Sequence, residues 1–424
     1  MMSFSRFSLS VALFYAAVAI SADAQEWTRF RGPNGSGIGD APSMPAEFNA
    51  SDYEWVFELP GTGVSSPVLW GDKLFVTVAG KGEAKHMVLC LDAKSGKQQW
   101  EWSEPFQENH KHNFNDFASS TPVVDDQSVY VTWSSGGETR VIALDHEGKE
   151  RWSRSWGDFT SNHGSAASPA LIDGVLIVHT DALDQRKSYV YGLNPADGAE
   201  MWVRERVTPE TDKEHLTAYN TPIESTAGGR PCVVMLSTNH GWLGLDPKTG
   251  EEIWSYKDAY TFRSVGSIAE SDGILFASMG SGGGGKQATL LRINATPTPE
   301  VLASFNVKGG NAKGLPYVPC PIIQDGLMYW WDDGGTVTCF DLAKKEIVYQ
   351  NRAGVGQFFS SPVLVDGKIY NASRDGVMFV IKAGREFEKL AENKLDSGVN
   401  ATPAVALGRM FIRTETHLIS LKNK

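Results

Sequence analysis

Residues 361–382 read SPVLVDGKIYNASRDGVMFVIK. A Ser-Pro opens a short apolar run, Asp366-Gly367 punctuates it, and a second apolar run follows before the chain turns again around Arg374-Asp375. The opening recurs along the chain. Ser66-Pro67-Val68-Leu69, Thr121-Pro122-Val123-Val124, Ser168-Pro169-Ala170-Leu171 and Thr221-Pro222-Ile223-Glu224 share its shape, as do Cys320-Pro321-Ile322-Ile323 and Thr402-Pro403-Ala404-Val405. Gly266-Ser267-Ile268-Ala269 fills the remaining gap without its proline. Self-similarity at a fixed period signals a repeat architecture, because one such unit cannot bury its apolar face alone.

Each unit continues alike. Tight turns such as IDGV, SDGI, QDGL and VDGK lead to a second strand, and a third ends in a hydrophobe followed by Asp or Asn, as in VLCLD, VIALD and VYGLN. A polar turn containing glycine and a fourth strand carrying tryptophan complete the unit. Glycine turns between short alternating apolar runs are hairpin signals, and four antiparallel strands at this period describe a propeller blade. The expected fold is all-β, an eight-bladed propeller of four-stranded antiparallel blades over residues 51–424. The last unit stops one strand short. Asp52–Leu59 has the fourth-strand pattern and is expected to pair with His417–Leu421 and close the ring, which removes the free edges that an open array leaves.

The pattern L-D-x-x-x-G-x-x-x-W is clearest from Leu91-Asp92 to Trp100 and from Leu245-Asp246 to Trp254, with close variants ending at Trp152 and Trp202. It resembles the pyrroloquinoline-quinone (PQQ) repeat of quinoprotein-like propellers, a group that includes BamB-type outer-membrane assembly propellers. The resemblance implies that Trp55, Trp100, Trp152, Trp202 and Trp254 dock against neighbouring blades. A large indole at one recurrent position serves blade-to-blade packing in any case. The resemblance does not carry the cofactor. Quinoprotein dehydrogenases of this group hold PQQ between a tryptophan and a disulfide of adjacent cysteines, beside a calcium site, whereas Cys90, Cys232, Cys320 and Cys339 are scattered. Cys90 and Cys339 occupy the small-residue slot of the third strand, filled elsewhere by Ala143, Gly192, Gly244 and Ser420, so they read as buried free thiols.

The first residues are of a different kind. Arg6, an apolar run from Phe7 to Ile20 and Ala22-Asp23-Ala24 follow the order of a secretory signal. Cleavage is expected near Ala24, with a periplasmic or extracellular location and no transmembrane segment. Residues 25–50 are a Gly/Pro-rich lead-in expected to drape over the propeller. With 39 Lys and Arg against 50 Asp and Glu, the net charge is -11. No basic block is present, which argues against nucleic acid as a partner.

The connections on one face of the expected propeller are short and stereotyped. Those on the other vary widely, and irregular loops on a rigid scaffold are where binding residues collect. The entry to blade two, NHKHNFND (109–116), places His110, His112, Asn115 and Asp116 near the central mouth. Equivalent entries bring Asn162, His163, Tyr219, Asn220, Arg263, Gln357 and Asn400, and second-to-third-strand loops add His240 and Arg374. Asparagines before inner strands also satisfy turn backbone, so recurrence around one opening is what singles them out. No H-E-x-x-H spacing marks a metal site. His110, His112 and His163 are the set from which one would be built.

The leading expectation is a non-catalytic binding or scaffolding module, without bound cofactor or metal, that takes a protein partner or a small or glycan ligand at the mouth. The rival is a PQQ-dependent oxidoreductase, with calcium, in a diverged pocket.

Overall fold

In a computed structural model, the structure describes residues 27–157, 161, 163–180, 188–206, 218–237, 240–257, 262–281, 284–306 and 313–423. The tight turns are local chemistry made visible. Asp173-Gly174, Asp272-Gly273, Asp325-Gly326 and Asp366-Gly367 each place both residues at positive φ. That is the turn whose twist matches the strands it joins, and it recurs because aspartate and glycine tolerate it.

Eight sheets of antiparallel strands result. The first blade proper runs Val68–Trp70, Lys73–Gly80, Lys85–Asp92 and Gln98–Pro105. The eighth is Ala404–Ala406, Arg409–Arg413 and His417–Lys422, completed on the outside by Tyr53–Glu58. The register runs from Tyr53 opposite Leu421 to Glu58 opposite His417, so the ring closes as the repeat count requires. Glu54 and Arg409 pair across the seam through both carboxylate oxygens, at 2.5 and 2.9 Å, and the bond from Arg409 holds the Glu54 carboxyl below its ordinary range.

The tryptophans explain the repeat motif. Trp55 Nε1 donates to the carbonyl of Ala93 at 3.0 Å, Trp100 to His146 at 2.8 Å, Trp152 to Pro195 at 2.9 Å and Trp202 to Pro247 at 2.9 Å. Each carbonyl lies in the third-to-fourth-strand turn of the next blade. The glycine of the same turn (Gly96, Gly148, Gly198, Gly250) lies under the indole. A Cβ there would sit 2.4–2.7 Å from the ring, and φ is near +70 to +84°. The motif glycine is therefore required twice, by its backbone and by its neighbour's tryptophan. After Trp254 the corresponding blade-five turn carries Asn294 and prolines instead. Trp254 makes no such indole bond and is buried in the apolar cluster shared by blades four and five. Opposite these indoles stand Cys90, Ala143, Gly192, Gly244 and Ser420, as the small-residue slot predicts, and all four cysteines are free and buried.

The lead-in does more than drape. Trp27 and Thr28 accept bonds from Leu69 and Val124, and Asn34 exchanges two with Glu224. Ile38–Gly39 then adds in parallel to the inner strand Val363–Val365 of blade seven. Residues 27–39 thus cross the far end of the central channel and touch blades on opposite sides of it.

Candidate functional site

The residues before the opening prolines, with Ser267 in the blade that has none, form a circle around the channel in which six bonds link neighbouring blades. The backbone N–H of Ser66 donates to Thr121 Oγ1, and that of Thr121 to Ser168 Oγ. Thr221 donates to Ser267 Oγ, Ser267 to Cys320 Sγ, Cys320 to Ser361 Oγ, and Ser361 to Thr402 Oγ1, all at 2.9–3.0 Å. Each link crosses from one blade to the next. A hydroxyl has one donor and two acceptor sites, and these bonds use acceptor sites alone. Among the described residues no protein acceptor takes the protons of Thr121, Ser168, Ser267, Ser361 or Thr402.

Above this ring lies a cavity of about 690 Å³ at the central mouth. Its floor is Phe30, from the lead-in, flanked by two guanidiniums fully removed from water. Arg29 donates to the Pro222 carbonyl, and Arg31 donates to those of Gly35 (2.9 Å) and Pro321 (2.6 Å). Gly37 makes room for this, since a Cβ there would stand 2.5 Å from the Arg31 guanidinium. A third buried guanidinium, Arg413, donates to Ser65 and Thr77 behind the wall at Val64. None of the three pairs with a carboxylate among the described residues. Burial lowers all three, Arg29 and Arg413 to about 10, which leaves those two charged at neutral pH. The wall over blades five and six carries Arg263, whose Nε donates to Tyr317 Oη at 3.1 Å, and Lys286, which pairs with Asp333 at 2.6 Å. Asp333 also accepts the N–H groups of Tyr317 and Val318, so its oxygens are engaged.

Of the residues expected at the mouth, His112, Asn115, His163, Tyr219, Arg263, Gln357 and Asn400 line this cavity. The others do not. His110 is exposed beside it. Asp116 serves its own turn, accepting from Thr62 Oγ1 at 2.7 Å and the Ala118 N–H at 2.9 Å. Asn220 is a correction: it is fully buried behind the wall, its amide donating to the Leu236 carbonyl at 2.5 Å while its own carbonyl meets His179. His240 bonds Ser237 away from the cavity. Arg374 stands at the rim, and Asn162 lies outside the described residues. Phe30 gave no sequence signal, because what it touches lies in distant blades. The hydroxyl ring did give one, the Ser/Thr-Pro openings, but its meaning needed the neighbouring blade's N–H.

NHKHNFND arches over the opening. Asn115 Nδ2 donates to the carbonyls of His163 (2.6 Å) and Ser165 (3.3 Å) on the blade-three side. Phe114 reaches the far side and meets Phe359 edge-on at 5.4 Å. His112 and His163 stack with centroids 5.1 Å apart and planes at 21°. Nitrogen lone pairs lie in the ring plane, so stacked imidazoles do not aim them at a common point. No group of three or more His, Cys, Asp or Glu among the described residues is placed to hold a metal. PQQ fits poorly as well. Among the described residues, no paired cysteines and no tryptophan line the cavity, and the one lining carboxylate, Asp333, is already bonded three ways.

The family model described as outer membrane protein assembly factor BamB matches residues 84–271. A quinoprotein ethanol dehydrogenase from Pseudomonas putida is 24% identical over 233 residues, 52% of this chain and 34% of that protein, so the chain spans about a third of its length. BamB from Moraxella catarrhalis superposes with a TM-score of 0.61 at 15% identity, covering 87% of this chain and 99% of its own. Quinohemoprotein alcohol dehydrogenase from Comamonas testosteroni gives 0.65 at 13% identity, covering 94% and 81%. At these identities the solved structures share the fold and no more. The strand pairing makes the chain an eight-bladed β-propeller, and residues 84–271 carry repeats similar to those of the BamB family model.

Proposed function

We propose that this propeller is an exported, non-catalytic binding module whose central cavity takes a small, negatively charged, acceptor-rich ligand such as a polycarboxylate. The observation that carries this reading is the wall of the cavity. Among the described residues, no protein acceptor takes the hydroxyl protons of Thr121, Ser168, Ser267, Ser361 and Thr402, and three guanidiniums that meet no carboxylate stand behind it. Donors without acceptors and buried cations without a counter-charge are costly, and an anion in the cavity offsets both costs at once. Arg263 and Lys286 add cationic groups on the surface of the site, and the rings of Phe30, Phe114 and Phe359 suit an apolar body between the charges.

The rival reading rests on the likeness to quinoprotein dehydrogenases, and one experiment separates the two. Melting curves are recorded with citrate, inorganic phosphate, free arginine as a cationic control, and PQQ with calcium. A ligand at 100 times its Kd adds about 2.7 kcal/mol, enough to read as a shift of several degrees. Citrate or phosphate should raise the melting temperature, and Arg263→Met with Lys286→Met should remove the effect. A shift with arginine alone defeats the proposal. Stoichiometric PQQ binding with alcohol-dependent dye reduction would replace it with the dehydrogenase reading.

A further inference from the structure

We infer that residues 106–117 form a strap over the central cavity, latched at its tip by Phe114 against Arg374 and Phe359, and that release of this latch opens the cavity. This deepens the proposed binding function, since it concerns entry to that same site.

The ends of the strap are fixed. Phe106 stacks on His86 with centroids 4.0 Å apart, His86 stacks on Trp133 at 4.2 Å, and Phe117 packs on Phe106 at 4.7 Å. Asn109 accepts the N–H of Gly136 at 3.2 Å, which ties the rising arm to the blade-two hairpin. The tip is held differently. Phe114 is 51% exposed, so burial does not retain it. What retains it is the Arg374 guanidinium, 4.3 Å from its ring centre and 4.7 Å from that of Phe359.

Arg374 is itself carried by two other rim residues. Its Nε donates to Asn400 Oδ1 at 3.0 Å and its Nη1 to Gln357 Oε1 at 2.9 Å, which orients the guanidinium plane toward the two rings. Three side chains that the sequence placed at the mouth therefore serve as the keeper of a latch. The arm beside the tip is tied to blade three by Asn115 and the His112 N–H, and one exposed cation–π contact and one edge-on aromatic pair favour the seated Phe114 tip by roughly 5- to 70-fold. Such a latch leaves a populated open minority, which is the behaviour of a gate.

The chain carries its own reporter. Of the four cysteines, Cys320 lines the cavity beneath the strap. The thiols of Cys90, Cys232 and Cys339 lie within blades, and burial pushes them up to about 12, 12 and 11. Iodoacetamide labelling of the folded chain, followed by peptide mass mapping, measures access to Cys320 without any ligand, so the outcome stands whether or not the cavity binds anions. Phe114→Ala should speed labelling at Cys320 by roughly 5- to 70-fold, and Arg374→Gln, which removes the cation–π contact alone, by roughly 2- to 5-fold, whereas Phe114→Trp should restore the native rate. An unchanged rate in both weakened variants overturns the latch. Equal acceleration at Cys90, Cys232 and Cys339 also overturns it, because that pattern reports loosening of the whole propeller.

Discussion

Replacing His86 by phenylalanine should change how stability responds to acid. The His86 ring is 1% exposed and sandwiched between Phe106 and Trp133, with interplanar angles of 20° and 13°. Burial, with help from the nearby Arg140 cation, pushes its pKa down to about 3. In the unfolded chain the ring titrates near the ordinary value of about 6.5. Between these limits the unfolded state binds the extra proton, so stability is present in full above about 6.5 and is lost as pH falls. From pH 7 to pH 4 the loss attributable to this ring is roughly 3 kcal/mol, at 1.36 kcal/mol per unit. Phenylalanine preserves the flat stack and cannot take a proton. Urea unfolding at pH 7 and pH 4 should show the variant losing about 2–4 kcal/mol less than the native chain, with the carboxylates contributing equally to both. Parallel losses would refute the buried, neutral assignment of His86.

Other tests follow from packing. Trp254→Ala should cost about 3–5 kcal/mol, because the indole is 2% exposed in the cluster between blades four and five; a near-neutral melt would contradict that burial. Thr402→Val should cost about 1–3 kcal/mol by stranding the Ser361 N–H, and Thr402→Ser should recover most of it, so equal losses in the two would show the ring bond to be idle. Deleting residues 25–60 removes both the channel-crossing segment and the outer strand of blade eight. Aggregation or a large fall in melting temperature is expected, and a monomeric product with unchanged melting would refute the closure.

The parts of this fold legible in the sequence are those set by neighbours a few residues away. Asp-Gly turns, strand alternation and the recurrent tryptophan are local, and together they gave eight blades and a closing strand over Asp52–Leu59, which the structure trims to Tyr53–Glu58. The site was legible only as a neighbourhood. Asn220 and Asn400 occupy equivalent entries, yet one is buried against Leu236 and the other faces the cavity, because depth along an inner strand depends on the blades beside it. Arg374 looked like a ligand contact, and the structure shows it braced by Gln357 and Asn400 against two phenyl rings. Of the three histidines from which a metal site would be built, His112 and His163 stack face to face, an arrangement no residue spacing could show.

Closure by an N-terminal strand also governs how such a chain reaches its native state during synthesis. Glu54 meets Arg409 across 355 positions of sequence, so nearly the whole polypeptide must emerge from the ribosome before blade eight exists. Joining ends so distant costs roughly 5 kcal/mol of loop entropy, and contacts of this range make folding slow. Until then the chain presents unpaired strand edges at both ends of an incomplete ring, the condition in which β proteins associate wrongly. A cell making this protein gains from delaying its collapse until the final strand, His417–Lys422, has been delivered.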